Sequence, residues 1–118
     1  MDRGSLTLLL VHLAATGLMT GLMWFVQVVH YPLFGAVPAD GFTAYERAHV
    51  ARTGGLVGPM MLAEAATVAG IMLLAPAGVP GWMAWAGLAM LAVVWISTFA
   101  VQVPLHQRLE SGQDPDVI

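Results

Sequence analysis

The side chains able to do chemistry in this chain are three histidines, two glutamines, two tyrosines and a solitary glutamate. His30, His49 and His106 belong to three different apolar stretches. If each stretch is a straight helix with its far end near Leu6, Ala75 or Gly81, the imidazoles stand about 24–26 residues from that end, at one level roughly 36–39 Å away. Imidazoles gathered at one level are ligands for a transition metal or a haem iron, and three protein ligands leave coordination positions open. Gln27 and Gln102 fall one turn deeper, where they would support the ligands from outside. Tyr31 and Tyr45 lie close by in sequence and are candidate proton or hydrogen-bond donors.

Glu64 is the only charged residue between Thr53 and Gln107. It lies about 11 residues, or roughly 16 Å, from the Ala75 end, close to the middle of a bilayer. An ionisable group at that depth is costly and raises a functional hypothesis by default. Glu64 is therefore expected to face the bundle, sharing a face with Met60 and Thr67. Thr20 or Thr98 are its expected hydrogen-bond partners. It stands roughly 20 Å from the histidine level, so proton relay or a bond to a neighbouring helix suits it better than ligation. His12 is alone at its own level and is expected to be structural.

These residues lie on polar stripes. His12, Thr16, Thr20, Trp24, Gln27 and His30 recur at helical spacing, as do Trp95, Thr98, Gln102 and His106. Ser, Thr, Gln and His also serve plain helix association in membranes, at roughly 0.6 kcal/mol per bond, and Trp and Tyr often anchor span ends. Gly17 and Gly21 form a small-xxx-small pair that suggests close helix packing. That structural reading carries most of the Thr and Trp members.

The elements that must position these groups follow from composition. Charged residues are 9% of 118, against roughly 25% in a soluble domain, and 58% are hydrophobic. The chain thus reads as a membrane protein. It has no cysteine and no lysine, which removes thiolate sites, disulfides and Schiff-base chemistry. A net charge of −3 with only four basic residues leaves no nucleic-acid footprint. No phosphate-cradling glycine loop, Ser-His-Asp set or paired catalytic carboxylates is visible.

The expected fold is an all-α polytopic bundle, a single membrane domain over 1–118. Its spans are about 6–30, 54–75 and 82–104, with an amphipathic helical segment at 41–52. Tyr31-Pro32 should end the first span, Asp40 should cap the second helix, and Gly54-Gly55 should bend it. Pro76, Gly78, Pro80 and Gly81 should turn the chain, and the tail from Glu110 should fray. The first uncharged run far exceeds the roughly 7–15 apolar residues of a cleaved signal, so a retained span is expected. Arg47, Arg52 and Arg108 at one end against Arg3 at the other place the C-terminus in the cytoplasm and the N-terminus outside.

The run Gly21-Leu22-Met23-Trp24-Phe25-Val26-Gln27-Val28-Val29-His30-Tyr31-Pro32, then Phe42-x-x-Tyr45, then Trp95-x-x-Thr98 with Pro104 and Leu109, resembles a group of uncharacterised small bacterial membrane proteins. More distantly it is similar to the anthrone-oxygenase-like family. That resemblance implies a bacterial inner-membrane protein and, for some members, oxidation of polyketide anthrones to quinones. It also implies a fourth span, carrying Trp and Arg, missing here or supplied by a partner helix or a second copy. It assigns no catalytic residue. The expected function is redox or oxygenase-type chemistry on a lipophilic small molecule at a histidine-held metal or haem. The rivals are a non-catalytic membrane subunit, and an oligomeric carrier or channel component with Glu64 on a proton path.

Overall fold

The computed structural model describes residues 1–114. Its elements are α1 (Arg3–Phe25), α2 (Phe42–Leu74), α3 (Gly81–Ser97) and α4 (Val103–Glu110). A π-helical turn, Val26–His30, and a 3₁₀ turn, Tyr31–Ala36, prolong α1; a second π-helical turn, Thr98–Gln102, joins α3 to α4. No strand is present among the described residues. The result is an all-α bundle of three continuous helical units, Arg3–Ala36, Phe42–Leu74 and Gly81–Glu110, each long and apolar enough to cross a membrane. At 30 to 34 residues, all three exceed the roughly 20 that span the hydrocarbon core, so their ends stand clear of it. The bundle is 56 Å long and about 20 Å across.

Both π turns sit just ahead of a proline. In a regular helix the rings of Pro32 and Pro104 would strike the carbonyls of Val28 and Ala100. Widening the turn relieves this: the Tyr31 amide bonds back to Val26, and that of Val103 to Thr98, five residues apart. Tyr31-Pro32 therefore does not end the first helix as expected; the chain continues in helical form to Ala36. Such π turns commonly mark functional sites, and both lie beside the histidine level.

Three further expectations are corrected. Gly41, not Asp40, precedes the first turn of α2, and no side chain caps it; a turn from Pro38 to Gly41 closes the approach instead. Helix α2 runs unbroken through Gly54-Gly55 and even Pro59. The tail is tied down as far as Gln113, whose amide donates to the carbonyls of Phe34 and Val37, both at 2.9 Å. Residues 115–118 of that expected frayed tail lie outside the described residues. The turn after α2 is where the Pro/Gly run placed it, with Ala75 left-handed at φ 43° and Gly78 at φ 86°. Asp2, not singled out by the sequence, caps α1: its Oδ1 accepts from the Ser5 amide at 2.7 Å, which holds the carboxyl below the usual range.

Helix α2 is the centre of the bundle. It packs along α1 and also against α3 and α4, while α1 and α3 do not approach one another. Ala15, Met19 and Val26 are buried on the first unit, and Met61, Val68 and Ile71 on α2. Leu8 rests over Gly70, where an added Cβ would meet its Cδ1 at 3.0 Å. Gly17 and Gly21 meet nothing within 4 Å, so this pair packs no helix of this chain. α3 has no buried residue, and Trp82, Trp85, Met90, Ile96 and Phe99 are exposed. Apolar side chains turned outward suit a lipid surround.

Candidate metal centre

At the end of the bundle away from the α2–α3 turn, the three helical units bring their histidines together. His30 Nε2 and His49 Nδ1 are hydrogen-bonded at 2.9 Å, and the Thr53 hydroxyl is 3.2 Å from the same His49 nitrogen. The His49 and His106 rings lie 5.3 Å apart, centroid to centroid. Tyr31 Oη is 2.8 Å from His106 Nε2, and Glu46 Oε1 is 2.5 Å from His106 Nδ1. His106 therefore stands between an acid and a phenol.

Glu46 is the candidate ligand that sequence reasoning missed. It is fully buried, and its second oxygen, Oε2, has no hydrogen-bond partner among the described residues. The signal was present: Glu46-Arg47-Ala48-His49 is a Glu-x-x-His step, which sets both side chains on one helix face. The same step supplies ligands in carboxylate-bridged metal bundles. Glu46, His49 and His106 each offer a ligand atom, and these atoms lie within 4.8 Å of one another.

The hydrogen-bond network sets the protonation pattern. With Glu46 ionised, the carboxylate only accepts, so the proton between Glu46 and His106 belongs on Nδ1 and Nε2 accepts from the Tyr31 hydroxyl. If His49 Nδ1–H donates to His30, its Nε2 keeps a lone pair for a ligand. A ligating nitrogen must be deprotonated, so a cation at Nδ1 would shift the proton shared by Glu46 and His106 to Nε2. Tyr31 could then accept from His106 Nε2–H and hold the ring in place.

An aromatic floor supports the cluster. The Phe34 ring meets His30 at 5.1 Å, Tyr31 and His49 at 5.2 Å and Phe42 at 6.0 Å, all edge-on. Phe34, Phe42 and Leu109 form the buried apolar core at this end.

The other sequence candidates distribute as follows. Gln27 and Gln102 make no hydrogen bond to the histidines; they line a cavity of about 510 Å³ with Tyr31, Pro32, Leu105 and His106. Tyr45 packs 6.3 Å from the His30 ring and lines a second cavity with His30 and His49, but its hydroxyl has no partner among the described residues. Glu64 is buried and faces the bundle, accepting from Thr16 at 3.0 Å. Its expected partners Thr20 and Thr98 instead bond back to their own helices, at Thr16 and Val94. A mid-helix threonine has that local carbonyl always within reach. His12 is not isolated: its Nδ1 is 2.7 Å from the Thr67 hydroxyl, next to Glu64 on α2.

The fold and this cluster define an α-helical membrane protein with a group of one buried carboxylate and two half-buried histidines able to hold a metal ion. No protein-family model, curated protein or solved structure matches the chain.

Proposed function

We propose that this chain is a membrane-embedded metalloprotein of the redox or oxygenase type, acting on a lipophilic substrate, with Glu46, His49 and His106 as metal ligands. The donor set carries the proposal: two imidazoles and one carboxylate, with ligand atoms within 4.8 Å of one another and a buried carboxylate oxygen still unpartnered. Two histidines and one carboxylate with open positions suit non-haem iron(II). Donor atoms converging on one point favour a single ion over a haem. Bound iron(II) would supply dioxygen activation, with the net reducing electrons drawn from the lipophilic substrate that is oxidised. In this reading His30 and Tyr31 orient the ligating imidazoles from outside, and Gln27 and Gln102 offer polar contacts to a substrate in the adjoining cavity. The likeness to anthrone-oxygenase-type proteins points the same way.

Metal analysis and an absorption spectrum of the protein, purified in detergent after iron(II) or cobalt(II) loading, test the proposal. About one ion per chain is expected. Tyr31→Phe should weaken metal affinity about 10–100-fold, the usual cost of losing an outer partner of a ligand. Protein that takes up neither ion would leave the non-catalytic subunit as the better account.

Three arginines at the cluster end against one at the other support a cytoplasmic cluster and C-terminus in a bacterial inner membrane. Reporter fusions at both termini should be active on opposite sides. A C-terminal fusion active only in the periplasm reverses the assignment.

A further inference from the structure

Between α1 and α3, opposite the seam of α2, lies a cleft of about 520 Å³. Met19, Met23, Met90, Leu91 and Val94 give it apolar walls, and His12 and Glu64 give it a polar floor. Its floor is remote from the metal cluster, since on the continuous α2 Glu64 and His49 are 15 residues, roughly 22 Å, apart, while Gln27 lines both this cleft and the cavity beside His106.

The floor is short of donors. Thr16 spends its proton on Glu64 Oε2. Thr67 gives its own to backbone carbonyls of α2, so it accepts from His12 Nδ1–H, which leaves His12 Nε2 a bare acceptor. Glu64 is more than nine-tenths buried, and its Oε1 has no hydrogen-bond partner among the described residues. Among the described residues no cation is paired with it: lysine is absent from the chain, arginines occur only at positions 3, 47, 52 and 108, and His12 bonds to Thr67 and forms no ion pair with Glu64. Two acceptors, one of them acidic, ask for an occupant with several N–H donors and a positive charge. Trp24 on the same wall adds the aromatic group that best attracts a cation.

We propose that the cleft between α1 and α3 binds a lipophilic amine as its ammonium ion, entering sideways from the bilayer, with nitrogen at Glu64 and His12 and its apolar body among the methionines. Glu64 lies roughly 16 Å from the α2 end, below the headgroup layer, so the occupant is a small amphiphilic amine and not an aminolipid headgroup. This goes beyond the metal reading and does not depend on it.

The test uses the full chain in lipid nanodiscs, with a naphthylalkylamine and the naphthylalkanol of equal length as probes, each corrected for partition into protein-free discs. The amine should bind once per chain, at least about 10-fold tighter than the alcohol, a difference of roughly 1.4 kcal/mol. Glu64→Gln should erase that preference. Met90→Trp, which fills the cleft from α3 without touching the floor, should block both probes. Cobalt loading should remain as in the unaltered protein in both variants, which separates this site from the metal cluster. Equal affinity for the two probes, an intact preference in Glu64→Gln, or unchanged binding in Met90→Trp each overturns the proposal. So does competition when phosphatidylethanolamine replaces phosphatidylcholine in the discs, since the ligand would then be a headgroup. If Glu64→Gln does not fold, the probe comparison on the unaltered chain and Met90→Trp still decide.

Discussion

Glu46→Gln is expected to abolish tight metal binding while leaving the helices in place. The amide keeps the shape of the carboxylate and a bond to His106, but it brings no charge and is a poor ligand. The loss should exceed the roughly 10–100-fold that follows from removing an outer partner of a ligand. His49→Ala and His106→Ala should match it. Stability without metal should fall modestly, because the amide oxygen can still accept from His106 Nδ1–H but the bond loses its charge. The contrast appears on adding metal. At a free concentration 100 times its Kd, an ion that binds only the folded state stabilises by about 2.7 kcal/mol. Unaltered protein should show that rise in thermal unfolding and Glu46→Gln should show none. An equal metal-induced shift in both would remove Glu46 from the ligand set.

Much of this arrangement was legible because membranes simplify the reading. Charge-free runs mark spans, and the Pro/Gly cluster at 76–81 can only be a turn, so three helices with two known ends followed directly. Once the ends were set, a rise of 1.5 Å per residue was enough to bring His30, His49 and His106 to one level. What escaped depended on side-chain pairing that depth alone does not encode. Glu46 sits in a charged, amphipathic stretch, where nothing in the sequence but its step to His49 sets it apart from its neighbouring charges. Only the fold, by laying α4 across that face, buries it against His106. The two π turns escaped because Tyr31-Pro32 reads as a terminator and nothing in the sequence marks a wider turn ahead of Pro104. Inside a long apolar helix the lost hydrogen bond can be accommodated by a wider turn, so the chain goes on. Glu64 was placed on the right face but given the wrong threonines. Thr16 lies one turn earlier than Thr20 on the same stripe, a shift within the error of assuming straight, level helices.

Phe34→Ala is the second substitution from which a large effect is expected, this time on the fold that holds the site. Phe34 is 1% exposed and touches residues from two helical units: His30 and Tyr31 on its own, and Phe42, Tyr45 and His49 on α2. Its carbonyl also receives the Gln113 amide, which ties the tail after α4 to the same corner. The helices here extend past the hydrocarbon core, so burying this ring removes apolar surface from water, a driving force that lipid-facing positions lack. Truncating a buried Phe to Ala costs about 3–5 kcal/mol. Edge-on pairs add roughly 0.5–1.5 kcal/mol each beyond area, so the upper part of that range is expected. Phe34→Leu fills most of the space and should recover much of the loss. Denaturant unfolding in detergent gives the stability; near-ultraviolet circular dichroism reports whether the tyrosine and tryptophan environments persist. Metal affinity should fall in Phe34→Ala although no donor atom is removed, because the His30–His49 pair and Tyr31 lose the surface that fixes their rings. A Phe34→Ala protein with unchanged unfolding midpoint and unchanged metal affinity would mean that the imidazoles are held by their hydrogen bonds alone.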